Sequence, residues 1–248
     1  TGRSELQLYD KLYLLLENVL PLVGHSAARL RQLLQSRNVL LGEAVGDRRI
    51  DAFRMMRSLL NTHTQKRLRK IVEALETMSS IEDSSYPDLQ MMDWEMVRAL
   101  DASGVTIGSH TQTHALLTQE SIERAANQTA GSMVTLNDRL KRPIRHFAYP
   151  DGRFNAAVVS TVAAAGYRYG YGTCLRRDAR HPNLTIPRTL LWERSCVDAG
   201  GRFSPSLMQC HAYRLYDLWA PCEHDHGGSA DGAAAASLRS GARQRQHA

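Results

Sequence analysis

Long apolar runs and closely spaced cysteine pairs are both missing from this sequence of 248 residues. No stretch approaches the roughly 18 consecutive apolar residues of a membrane-spanning helix, so no membrane span is predicted. The cysteines are far apart and include no Cys-x-x-Cys pair, which argues against a disulfide scaffold and against a zinc ribbon. We expect buried thiols at these positions, which are Cys174, Cys196, Cys210 and Cys222.

The start of the sequence also lacks the features of a leader. Residues 1–5 contain no initiator Met, and no basic segment followed by an apolar segment is present, so no signal peptide is predicted. We expect that the original N-terminus is missing, together with any export signal, and the sequence leaves the cellular compartment open. The length and a hydrophobic content of 43% suit one large domain, or one domain with an inserted helical segment.

A net charge of +6 raises the question of nucleic-acid binding, but the excess positive charge is local. It is concentrated in one predicted helix and in the C-terminal tail, at Lys66, Arg67, Arg69, Lys70, Arg239, Arg243 and Arg245. A solvated helix face and a basic tail explain this distribution more simply than a phosphate-binding groove does. We therefore predict no nucleic-acid partner, and a basic nucleic-acid binder that uses residues 29–70 stays an alternative.

Residues 6–78 show the apolar periodicity of helices, in three or four segments. Ser26 and Asp51 are predicted N-caps, because each precedes an apolar stripe and carries a side-chain oxygen that can accept from the first turn. No residue in this region indicates chemistry. Residues 1–88 are therefore predicted to form a helical insertion or cap, and a further helix is expected from Trp94 to near Gly104.

Strand-like and helix-like segments alternate in the following part of the chain. Strands are predicted at residues 105–109, 144–149, 167–171 and 184–191, and helices at residues 121–140 and 155–165. This alternation indicates parallel βαβ units in an α/β domain, to which we assign residues 89–222. Residues 223–248 are rich in Gly, Ala, Ser and Arg and are predicted to be a disordered tail, in which His224 and His226 are solvated.

Two histidines follow the first predicted strand, in the stretch Ser109-His110-Thr111-Gln112-Thr113-His114. Two neutral imidazoles four residues apart can share a metal ion when their side chains converge. The stretch lacks the Glu that follows the first His in helical metalloproteases, so that class is not favoured. A position at the carboxyl end of a strand favours a functional site in parallel α/β folds. His110 and His114 are therefore candidate metal ligands, with ordinary polar residues as the alternative.

A second informative stretch, residues 145–155, is a short strand-like segment that breaks into a Pro-Asp-Gly turn. Taken alone, the turn could be an ordinary β-turn, and Arg145 could form a surface ion pair. Taken together with His110 and His114, it indicates one metal-centred hydrolytic site built at strand ends.

The second stretch has the pattern Arg-x-Phe-x-Tyr-Pro-x-Gly-x-x-Asn, which resembles a signature of the NodB-type polysaccharide deacetylases, also called carbohydrate esterase family four. The first stretch resembles the His-(Ser/Thr)-x-x-His signature of the same family, in the right order. The resemblance spans residues 88–175 and extends more weakly to Arg188. It implies an α/β fold, namely a partial, deformed (β/α) barrel of the NodB type that lacks its first strands and carries an N-terminal helical insertion.

The resemblance also implies a reaction and a metal. His110 and His114 would be metal ligands, and the metal is expected to be Zn²⁺. The implied activity is a metal-dependent hydrolysis that removes N-acetyl groups from a carbohydrate, so an N-acetylated carbohydrate is the expected partner. The metal would acidify its bound water and polarise the acetamide carbonyl. The sequence leaves the oligomeric state open.

Four residues of the second stretch have implied roles around this metal. The backbone N–H of Tyr149 would stabilise the oxyanion of the tetrahedral intermediate. Arg145 would orient and tune the catalytic carboxylate through a charge-assisted hydrogen bond. Pro150 and Gly152 would shape the loop along the substrate groove.

The sequence departs from the family at its first motif, a strand that ends in an Asp-Asp pair. No Asp-Asp pair occurs in this sequence, so both the general base and the third metal ligand are missing. We expect an N-terminally truncated and impaired fragment, because a two-histidine site without its carboxylate should bind metal weakly. A non-catalytic relative that binds carbohydrate or another partner is the alternative. His211 is the nearest match to the family's general acid, but a structural or solvent-facing role is favoured for it.

Overall fold

The computed structural model describes residues 6–39, 50–175, 177–191 and 193–218. The chain divides into two compact units, Thr1–Ile107 and Gly108–Ala248. Within the described residues, no helix combines the length and the apolar character needed to cross a membrane. The tail expected at residues 223–248 lies outside the described residues, and the domain boundary expected at residue 88 stays a prediction.

The first unit is helical, as its apolar periodicity predicts. Its helices are α1 (Leu8–Leu22), α2 (Ala27–Gln35), α3 (Ala52–Thr62), α4 (Gln65–Glu76) and α5 (Trp94–Ala102). Ser26 and Asp51 are confirmed as N-caps, because their side chains accept from the backbone N–H groups of Arg29 and Arg54, respectively. Each cap satisfies one of the N–H groups that the first turn of a helix leaves without a partner.

The core of this unit is an apolar stripe along α1. Leu12, Leu15, Leu16 and Val19 recur at helical spacing, and all four are fully buried. Helix α1 packs against α3 and α4, whose own apolar faces complete the core. Burying one Leu side chain contributes about 1.5–3 kcal/mol, so this stripe is the main reason why the helices assemble.

A three-stranded parallel sheet forms the centre of the second unit. Its strands are β1 (His146–Ala148), β2 (Tyr169–Gly172) and β3 (Ile186–Pro187), in the order β1-β2-β3. Its helices are α6 (Ile122–Leu140), α7 (Ala156–Ala164) and α8 (Pro205–Ala212). The register pairs Phe147 with Gly170 and Tyr171 with Ile186. The predicted α/β class with parallel strands is confirmed, and the sheet is open, in agreement with a partial barrel.

Two predicted strands are much shorter in the structure than in the sequence pattern. Of residues 105–109, only Ser109 pairs, in a single parallel bridge. Of residues 184–191, only Ile186–Pro187 form β3, because Pro182 opens a short 3₁₀ turn that includes Leu184. An apolar pattern identifies residues that suit a strand, whereas a strand also needs a neighbour to complete its ladder.

Close backbone packing in the sheet explains why residue 170 of β2 is a glycine. A Cβ atom at Gly170 would collide with the backbone carbonyl of Leu184. Gly170 pairs with Phe147, which is fully buried in β1. Only glycine allows the chain at residue 184 to approach β2 this closely.

We expect Leu16→Ala to lower the free energy of unfolding by about 2–5 kcal/mol, because it removes buried atoms and leaves a cavity. Leu22→Ala on the same helix is the matched control, since that side chain is 72% exposed and its loss should cost at most about 0.5 kcal/mol. Urea denaturation followed by circular dichroism measures both changes. Equal losses in the two variants would contradict the assignment of the core.

Candidate active site

Three segments leave the parallel sheet at the same edge. Ser109 bridges to β1 and leads into His110, β1 runs out into Tyr149, and β3 runs out into Arg188. Parallel strands place their carboxyl ends together, and the ligand sites of open α/β sheets lie outside that edge. The geometry therefore identifies this edge as the candidate site.

The ring of His110 is oriented by a hydrogen bond to the backbone of β1. Its Nδ1 atom lies 2.6 Å from the carbonyl oxygen of Ala148. Because a carbonyl oxygen can only accept, Nδ1 carries the proton and donates it. The lone pair then lies on Nε2, and histidines that bind metals usually have their other ring nitrogen engaged in this way.

His114 lies against His110 after a bend in the chain at residues 112–113. The two ring centroids are 4.7 Å apart, and the ring planes meet at 76°, edge to face. Thr111 and His114 have φ angles of 69° and 56°, in the left-handed region, which bends the chain back on itself. The structure therefore brings the two candidate metal ligands side by side.

Burial keeps both imidazoles neutral. It lowers the pKa of His114 to about 4, with the neighbouring His110 as a second cause. Burial also lowers the pKa of His110, although the hydrogen bond to Ala148 opposes this shift. At neutral pH both rings are therefore uncharged, which is the form in which imidazole binds a metal ion.

The histidine pair fits part of a metal site. It offers two neutral nitrogen atoms on adjacent rings, one of which is held in a fixed tautomer. Catalytic zinc sites use three protein ligands and keep one position open. Among the residues that the structure describes, no group of three His, Cys, Asp or Glu side chains is placed to hold a metal ion. The pair offers two of the three protein ligands that such a site needs.

Tyr149 supports this edge of the sheet through its side chain and its backbone. The side chain is fully buried, and its hydroxyl donates to the carbonyl of Leu184 at 2.8 Å. The backbone N–H donates to the carbonyl of Tyr171 at 3.0 Å, which continues the ladder between β1 and β2. The hydrogen bond to Tyr171 occupies this amide in the structure, and its role as an oxyanion donor stays a prediction.

Arg145 lies at the opposite end of β1 from the histidines. It precedes the strand, its side chain is exposed, and its carbonyl accepts from the amides of Arg168 and Tyr169. Three residues separate it from Ala148, which is about 10 Å along an extended strand. The structure therefore does not bring Arg145 to the histidine pair, and its role towards a catalytic carboxylate stays a prediction.

Arg188 is an arginine that the structure places at this edge. It is half-buried, its Nη2 donates to the carbonyl of Tyr149 at 2.8 Å, and its backbone N–H donates to Gly172 at 2.7 Å. Burial is the largest cause of the lowered pKa of both histidines, and the positive charge of Arg188 lowers it further. Sequence reasoning missed this residue because a strand predicted over residues 184–191 hid the true strand end at Pro187.

The Pro-Asp-Gly turn follows Tyr149 at the same edge. Pro150 and Gly152 are buried, and Asp151 and Gly152 have φ angles of 53° and 68°. A Cβ atom at Gly152 would collide with the side chain of Thr173, so this position needs glycine for its conformation and for space. The negative charge of Asp151 raises the pKa of His114 against the larger effect of burial, so the turn lies near the pair.

His211 lies on α8, away from any hydrogen bond or ring contact with the pair in the described structure. Its ring is half-buried and lies 4.6 Å from that of Tyr216, measured between centroids. This contact agrees with the structural role that the sequence favours over a general acid.

Several solved structures are similar to this chain over part of its length. The Streptococcus pyogenes deacetylase PplD in complex with acetate is 20% identical with a TM-score of 0.41, and the match covers 55% of this chain and 54% of PplD. A de-N-acetylase from Aggregatibacter actinomycetemcomitans is 15% identical with a TM-score of 0.38, over 50% and 54% of the two chains. IcaB from Ammonifex degensii is 23% identical with a TM-score of 0.36, over 44% and 52%. This chain thus spans about half the length of these proteins.

A family match covers the region that forms the site. Residues 74–170 match the family model described as polysaccharide deacetylase, and they include the histidine pair and the Pro-Asp-Gly turn. No curated protein sequence matches the chain significantly. Residues 74–170 of this chain are therefore similar to the polysaccharide deacetylase family.

Proposed function

We propose that this chain contributes the histidine pair of a metal-dependent deacetylase, which hydrolyses N-acetyl groups on a carbohydrate. The observation that carries the proposal is the hydrogen bond from His110 Nδ1 to Ala148, which leaves the Nε2 lone pair of a neutral ring available beside His114. The family match of residues 74–170 supports the class of reaction. An N-acetylated carbohydrate is therefore the proposed substrate.

His110 and His114 would hold the metal, and we propose that the metal is Zn²⁺. Neutral imidazole nitrogens are ligands that zinc accepts readily. When bound, zinc acidifies a water molecule and polarises the carbonyl of an acetamide. Because no third ligand joins the pair within the described residues, this chain should bind zinc only modestly.

The turn at residues 150–152 is proposed to form a wall of the substrate groove. Arg188 holds the carbonyl of Tyr149 directly before this turn, and Gly152 packs closely against Thr173. A wall fixed by packing keeps the groove in one shape and lowers the entropic cost of binding. In this proposal Pro150 and Gly152 shape the groove and do not touch the reacting atoms.

Slow turnover is part of the proposal. Asp151 is the carboxylate whose charge raises the pKa of His114. Its Oδ2 atom lies 2.9 Å from Nε of Arg153, in an ion pair. A carboxylate held in an ion pair is poorly placed to take a proton from an attacking water molecule. We therefore expect hydrolysis by this chain to be slow.

A non-catalytic relative that binds carbohydrate or another partner is the second candidate. The engaged amide of Tyr149 favours it, because this hydrogen bond occupies the expected oxyanion donor. In that case the groove beside the turn would bind a ligand without hydrolysing it.

We expect His110→Ala and His114→Ala each to lower the affinity for zinc by at least about tenfold, because each variant removes one nitrogen ligand. Competition with a chromophoric chelator measures the affinity. His181→Ala is the control, since this half-buried histidine of the same unit lies outside the pair. Wild-type zinc affinity in both variants of the pair would remove the metal from the proposal.

The lowered pKa of His114 predicts how stability of the metal-free protein depends on pH. An imidazole in the unfolded chain has a pKa of about 6.5, whereas that of His114 in the folded chain is about 4. Between these values the unfolded state binds more protons, so the free energy of unfolding decreases as the pH falls from about 6.5 to about 4. The contribution of this ring is complete above about pH 6.5 and is lost towards pH 4.

His114→Asn removes this contribution, and asparagine tolerates the left-handed backbone of position 114. The variant should therefore lose less stability than the wild type between about pH 7 and about pH 4.5. Urea denaturation at the two pH values measures the difference. An identical pH dependence in both proteins would contradict a buried, neutral ring.

Acetate release from an N-acetylglucosamine oligosaccharide separates the two candidate functions. We expect slow release that zinc stimulates and that His114→Asn abolishes, because the variant lacks one proposed ligand. An enzyme-coupled acetate assay measures the rate, and calorimetry measures binding of the oligosaccharide. Binding without any release of acetate in the presence of zinc would favour the non-catalytic relative.

A further inference from the structure

The segment from His110 to His114 adopts a costly backbone conformation. Thr111 and His114 both have positive φ angles, and neither is glycine. A non-glycine residue in the left-handed region costs about 1–2 kcal/mol, so surrounding contacts must hold the segment in place. The geometry of the histidine pair therefore depends on whatever holds this segment.

A single buried side chain of α6 holds the middle of the segment. Gln128 is only 7% exposed, and its Oε1 accepts from the backbone N–H groups of Gln112 and Thr113, each at 3.1 Å. The same oxygen accepts from the hydroxyl of Thr113 at 3.0 Å. Backbone N–H groups can only donate, so the oxygen and not the nitrogen of the Gln128 amide must face the segment.

Two further contacts join α6 to this part of the chain. The side chain of Gln112 lies where a Cβ atom at Gly131 would have to be, so the helix and the segment are in close contact. The hydroxyl of Ser109, directly before the first histidine, donates to Ser132 at 2.8 Å. Ser132 in turn is hydrogen bonded to the hydroxyl of Tyr167 at 3.0 Å. Hydrogen bonds and close packing with α6 therefore fix the position of the segment.

We propose that Gln128 is a positioning residue, which sets the separation and orientation of the His110 and His114 rings and thereby their joint affinity for a divalent metal. It touches neither the metal nor the substrate, and it acts through the two amides that it satisfies. This inference rests on the proposed function. Residues that orient metal ligands from outside the coordination sphere typically change metal affinity by about 10–100-fold when they are replaced.

The test compares variants at two neighbouring positions of α6. Gln128→Leu and Gln128→Ala remove the acceptor, Gln128→Glu keeps it, and Asn127→Leu changes the adjacent amide side chain, which is exposed. Zinc affinity is measured by competition with a chromophoric chelator. Hydrogen exchange of the Gln112 and Thr113 amides, followed by NMR, reports on the segment without any metal.

We expect Gln128→Leu and Gln128→Ala to lower zinc affinity by about 10–100-fold and to accelerate exchange of the two amides. Gln128→Glu should keep zinc affinity within about threefold of the wild type, because a carboxylate accepts from the same N–H groups. Asn127→Leu should match the wild type in both measurements. If Gln128→Leu does not fold, Gln128→Ala serves in its place, because its smaller side chain leaves room for a water molecule at the amides.

Three outcomes would overturn the inference. Wild-type zinc affinity, or unchanged exchange of the two amides, in folded Gln128→Ala would show that the segment holds itself, and the proposed function would stand. A loss of affinity in Gln128→Glu equal to that in Gln128→Ala would show that the acceptor is not what matters. Wild-type zinc affinity in both His110→Ala and His114→Ala would remove the inference together with the proposed function.

Discussion

The hydrogen bond between His110 and Ala148 is the interaction on which the site depends. It exists because Ser109 pairs in register with β1: its N–H donates to His146, and its carbonyl accepts from Ala148, each at 2.8 Å. A slip of one residue would turn the ring to the other face of the sheet. The tautomer of the ring, its burial and its contact with His114 all follow from this register.

Local signals in the sequence predict the parts of the structure that local interactions determine. Ser26 and Asp51 can be recognised as caps because a side-chain oxygen needs only the amide three residues ahead. The apolar stripe of α1 follows from the helical period alone. The closeness of His110 and His114 could also be anticipated, because both residues belong to one short segment after a strand end.

The remaining features of the site depend on pairing between distant segments, which local patterns do not contain. The Tyr149 amide looks available in the sequence, but the register of β1 with β2 directs it to Tyr171. The positions of Arg145 and Arg188 relative to the site also depend on the assembled sheet. Both lie next to strand residues, and only the strand directions and the true end of β3 show which of them reaches the carboxyl edge. A propensity describes a residue, whereas an edge is a property of the assembled sheet.

The close approach of Gly152 to Thr173 has a mechanical consequence for this edge. The space that a side chain would fill at position 152 is already occupied, so the Pro-Asp-Gly turn cannot tilt inwards without displacing the chain that leaves β2. Both segments must therefore move as one rigid body. A ligand that pressed on the turn from outside would meet a stiff support.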